Sequence, residues 1–171
     1  MQTSVKQLME ADVRLHPWLS VAAVVTALLL QAYLPLLSSY ASMADLPLLV
    51  TIYLALLRRS PVAGLLIGMT VGLGQDSLSH GPMGLYGIIK TIIGYVCSSL
   101  TLVLAVEPLA TRVILVAGLY VIHQFFFWAM QRVLLEQVTN FVWQRTLLLA
   151  AANAGVALLV YRFLDRFKQR D

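Results

Sequence analysis

The chain alternates long apolar stretches with short polar breaks, and that rhythm predicts an all-α membrane protein of six transmembrane helices. A polar arm, residues 1–17, carries Lys6, Glu10, Asp12 and Arg14 in a weakly helical pattern suited to a membrane surface. The first span follows at 18–37, with Trp18 and Tyr33 near its ends, where amphipathic rings settle among headgroups. A short loop without a basic residue leads to the apolar run 46–57. Its twelve residues make roughly 18 Å of helix against an apolar core of about 30 Å. That run crosses only if it starts near Tyr40 or the bilayer thins around it. Arg58 and Arg59 stop it. The third span is 61–75, and the fourth is 83–106, ended by Glu107-Pro108. The fifth is 112–130. Residues 131–145 then place Leu134, Val138, Phe141 and Val142 at helical spacing, as an interfacial amphipathic helix or an extension of the fifth span. The sixth span is 146–164. The transmembrane domain is thus 18–164, and residues 165–171 form a basic tail.

Within this pattern, residues 61–90 are the least ordinary. Gly64, Gly68 and Gly72 recur every fourth position, so a helix places them on one face. Such a stripe exposes backbone and lets a second helix approach closely, which is how helices pack in lipid. The apolar run ends at Gln75 and Asp76, and a polar turn from Ser77 to Pro82 follows. Gly81-Pro82 cannot continue a helix, and Pro82 is suited to opening the next one. That helix carries Gly84, Gly87 and then Lys90 in apolar surroundings. The unit reads as a tight hairpin with an Asp at its tip and a Lys just inside. Its candidate packing or partner-contact residues are Gly64, Gly68, Gly72, Asp76, Pro82, Gly84, Gly87 and Lys90.

Composition supports the membrane reading. Of the 171 residues, 60% are hydrophobic and 12% charged, more apolar surface than a soluble domain of this length covers. The polar N-terminus does not resemble a cleaved signal. A single cysteine, Cys97, excludes an internal disulfide or a cysteine-cluster metal site. The net charge of +4 is small and tied to loops, which argues against nucleic acid as a partner and leaves membrane lipids. Nine of the twelve Lys and Arg residues fall in the arm, the second and fourth loops and the tail. By the positive-inside rule both termini are cytoplasmic and the turn at 76–82 faces outward.

Lys90 is the group that most needs a partner. It lies about 10 Å inside its helix, where a bare ammonium costs about 2.5–3.5 kcal/mol on insertion scales. A pair with Asp76, brought close by the hairpin, is favoured; Asp45 lies on the same side. Outward snorkelling and contact with a ligand or partner are the alternatives. His80 stands near Ser77 and Ser79, but no nucleophile elbow frames them, so a hydrolase is not indicated. His16, His80 and His123 occupy separate regions, against a zinc site or other cofactor. Gln31, His123, Gln124 and Asn153 lie inside spans and suit interhelical hydrogen bonds.

The run from Asp45 to Tyr95 resembles the bacterial rod shape-determining protein MreD family. The likeness rests on DLPLLVTIYLALLRRSP at 45–61, GLLIGMTVGLGQDSLSHGPMGLYG at 64–87 and a helix reaching Gly94-Tyr95. It joins an apolar span with a basic stop, a glycine-bearing span with an acidic end and a small-residue restart. Gln75 is more polar than that family's pattern, and Lys90 is not one of its features. The resemblance implies a non-enzymatic inner-membrane component of the cell-elongation machinery in peptidoglycan synthesis. Its implied partners are MreC and, indirectly, MreB, RodA and a class B penicillin-binding transpeptidase. It also implies a fold similar to the substrate-binding subunits of energy-coupling-factor transporters. A vitamin-binding subunit of such a transporter is therefore the alternative function.

Overall fold

The shortest apolar run is the centre of the molecule. In the computed structural model, which describes residues 14–37, 43–79, 81–104, 106, 108–136 and 140–169, α2 (Leu46–Leu57) is surrounded by the other helices. Every residue from Pro47 to Leu56 is buried. A helix apolar on all sides needs apolar surroundings on all sides, and here neighbouring helices supply them. Because neighbouring helices cover it, its twelve residues need not match the thickness of a bilayer.

Around it run α1 (Pro17–Leu37), α3 (Pro61–Leu78), α4 (Leu85–Leu100), α5 (Leu109–Leu134) and α6 (Trp143–Asp165). α1, α5 and α6 are long and apolar enough to cross a membrane, whereas α2 and α4 are apolar but shorter. Their outer faces carry large apolar side chains, among them Val21, Leu36, Ile114, Leu148 and Leu159. A two-residue strand, β1 (Arg14–Leu15), pairs antiparallel with β2 (Lys168–Gln169), so the segments before α1 and after α6 meet at one end of the bundle. The arm from 1 to 13, His80 and Glu107 lie outside the described residues.

Several boundaries differ from the sequence pattern. α4 stops at Leu100 rather than 106. A tighter turn takes over there, with Leu102 N–H donating to Ser99 O and Thr101 Oγ1 donating to Ser98 O. Pro82 does not open α4. It precedes Gly84, the N-cap, whose φ of 94° is left-handed and suits only glycine well. Residues 131–134 extend α5, and the chain then leaves the helix at Leu135, with Glu136 at φ 51°. Of the two readings of 131–145, the extension of the fifth span holds for 131–134; residues 137–139, with Val138, lie outside the described residues, 140–142 are not helical, and α6 starts earlier than expected, at Trp143.

α3 and α4 form the closest pair. A methyl group on Gly64 would overlap the carbonyl of Gly94 and the side chain of Ser98. One on Gly68 would overlap the Lys90 carbonyl, and one on Gly72 the Tyr86 carbonyl. Gly94 faces Gly64 in return. With no side chains between them, backbone packs on backbone over more than two turns.

Candidate functional site

The N-terminus of α2 gathers the polar side chains that the other helices carry inward. Asp45 caps it, its Oδ1 accepting from Leu48 N–H at 2.9 Å, with Pro47 in the first turn. Lys90 of α4 donates from Nζ to both Asp45 oxygens, at 3.0 and 3.1 Å. Asp45 N–H donates to Asn153 Oδ1 of α6, and Leu46 N–H donates to Gln31 Oε1 of α1. Asn153 also donates from Nδ2 to the carbonyls of Met43 and Leu149. His123 of α5 brings Nε2 to 3.7 Å from Asp45 Oδ2, beyond hydrogen-bonding distance. Side chains of α1, α4, α5 and α6 thus converge on one helix end.

This arrangement corrects the expected Asp76–Lys90 pair. The Lys90 side chain is fully buried, so it does not snorkel, and its carboxylate is Asp45. Asp76 has other work. Its Oδ1 accepts from Tyr86 N–H at 3.0 Å and its Oδ2 from Gly87 N–H at 2.8 Å. Those amides lie in the first turn of α4, where backbone N–H groups have no partner within the helix. Gly84, at the N-cap, has no side chain to supply one. Asp76 therefore caps the neighbouring helix from outside it, where the helix dipole also favours an anion. Gly87 lies directly beneath that carboxylate.

Beside Asp45 lies a cavity of ≈ 260 Å³, lined by Gln31, Gln75, Tyr86, His123, Gln124 and Arg145 among others. Gln75 Oε1 and both ring nitrogens of His123 are buried with no hydrogen-bond partner among the described residues. The rings of Tyr86, His123 and Phe127 are nearly parallel, with interplanar angles of 11°, 16° and 24°. Gln124 donates to the Tyr120 hydroxyl.

A second polar group ties the other end of α2. Tyr53 donates its hydroxyl to Asp165 of α6, and Arg112 of α5 pairs with the same carboxylate at 3.0 Å. Nearer the start of α2, Tyr161 of α6 donates to the Leu49 carbonyl. Elsewhere, the Ser77 and Ser79 hydroxyls donate to backbone carbonyls of their own turn. The sequence already singled out Asp45, Lys90, Gln31, His123 and Asn153, the side chains that meet at the start of α2, but not Asp45 as their centre. The available signal was Asp45-Leu46-Pro47, a helix-opening pattern with a carboxylate at the cap.

These features define an α-helical membrane protein held together by buried interhelical polar contacts. Within that class, a family model described as rod shape-determining protein MreD matches residues 13–167, and the chain belongs to that family. No curated protein and no solved structure matches the chain.

Proposed function

We propose that this protein is a non-enzymatic, six-span scaffold of the inner membrane that acts with MreC in peptidoglycan synthesis during rod-shaped growth. The family match over 13–167 carries this reading. Two further features support it. The ion pairs and caps are engaged in joining helices, while the outer faces of α1, α5 and α6 present apolar side chains to lipid or to partner helices. The pairing of β1 with β2 favours chain ends on one side, and the distribution of basic residues favours the cytoplasm.

Depletion in a rod-shaped host tests the reading. Cells should widen or round while vitamin uptake stays normal, and MreC should co-purify with the protein. Unaltered shape together with a vitamin requirement would instead identify a transporter subunit.

A further inference from the structure

The cavity beside Asp45 has the chemistry of a binding site that the scaffold role does not use. Gln75 is 8% exposed and His123 3%, and both line it with polar atoms unpartnered among the described residues. Groups buried in this way are ordinarily hydrogen-bonded. The network around Asp45 satisfies Gln31 Oε1, Asn153 and Lys90, but leaves these.

Three features specify what would satisfy them. Charge comes first. Asp45, which also lines the cavity, is neutralised by the buried Lys90, and the exposed Arg145 on the rim makes no salt bridge among the described residues. Arg145 lies in the first turn of α6, where the helix dipole also favours an anion. Shape comes second. The near-parallel rings of Tyr86, His123 and Phe127, all lining residues, offer flat surface to a planar group. Donor pattern comes third, since Gln75 Oε1 requires a donor from its partner. The volume of ≈ 260 Å³ suits one substituted ring, and a second cavity of ≈ 230 Å³ shares Gln31, Gln75 and Tyr86 with it.

We propose that this cavity binds a small, flat, singly anionic molecule that carries a hydrogen-bond donor. Arg145 and the start of α6 hold the anion. The Tyr86–His123–Phe127 wall takes the ring, and Gln75 and His123 take the polar edge. This site is independent of the scaffold role, and its test reads binding to the purified chain rather than cell shape.

Para-hydroxybenzoate, para-hydroxybenzamide and benzoate serve as probes, titrated at millimolar concentration against the full-length protein in nanodiscs by ligand-observed NMR. The hydroxy acid should bind best. Removing its charge, as in the amide, or its donor, as in benzoate, should weaken binding roughly tenfold or more. Arg145→Gln should abolish the preference for acid over amide, and Gln75→Leu the preference for hydroxybenzoate over benzoate. His123→Leu should weaken all three. Arg145 is exposed, so its variant remains informative if a buried substitution disturbs folding, which circular dichroism would reveal. No binding by any probe overturns the proposal. So does equal binding of acid and amide, or binding unchanged by Arg145→Gln, which would signify partition into lipid only.

Discussion

Lys90 of α4 and Asp45 at the start of α2, 45 positions apart in sequence, form a two-pronged ion pair in which the ammonium is fully buried. Lys90→Met alone should destabilise the fold by about 3–5 kcal/mol, because it leaves a carboxylate without its counter-charge. Combining it with Asp45→Asn should recover part of that loss. Unfolding measured in detergent on the two single variants and the double variant gives the coupling directly. Additive losses would show that the two charges do not depend on each other.

Asp76 should behave differently. Asp76→Ala removes both acceptors from the first turn of α4, a loss of about 1–2 kcal/mol by analogy with other N-caps. Hydrogen exchange should speed up at the amides of Tyr86 and Gly87 above all. With Lys90→Met the effects should be nearly additive, since Asp76 bonds backbone rather than the ammonium. A coupling as large as that of Asp45 with Lys90 would contradict the assignment.

The glycine stripe predicts a sharp contrast. Gly68→Ala places a methyl group against the Lys90 carbonyl, so α3 and α4 must part, at a cost of about 1–3 kcal/mol. Leu66→Ala, at a half-exposed position on the same helix, should change stability by about 0.5 kcal/mol or less. Thermal unfolding of the two variants decides it, and equal tolerance would mean that the helices are not in backbone contact.

Orientation can be read without removing the native thiol, because Cys97 is fully buried. An impermeant thiol reagent added to whole cells should label Ser79→Cys and spare Arg166→Cys. The opposite pattern would invert the proposed topology.

The helices were legible because lipid-facing and core-facing positions are both apolar, so long runs stand out from their polar breaks. What escaped was the choice between two carboxylates. Asp76 is nearer to Lys90 along the chain, and a hairpin makes that nearness persuasive. Gly84 decides against it: a cap residue without a side chain leaves amides of α4 to be satisfied by a neighbour, and Asp76 is that neighbour. The place of α2 was hidden for a related reason. An apolar run of twelve looks like an inadequate span until its neighbours are known to enclose it. The boundaries at 100 and 134 were lost because Ser98, Ser99 and Glu136 act through local backbone geometry, which hydropathy does not register.

The central position of α2 bears on how the chain is made. Asp45 leaves the ribosome well before the residues that complete its surroundings, with Lys90 following 45 positions later and Asn153 108 positions later. At roughly 5–20 residues per second, the last of these arrives about 5–20 s after Asp45. Until Lys90 arrives the short helix has an uncompensated carboxylate at its head, and until Asn153 arrives it has no finished enclosure. The order of synthesis thus sets an order of assembly: the shortest helix, made early, is completed only when the second half of the chain closes over it.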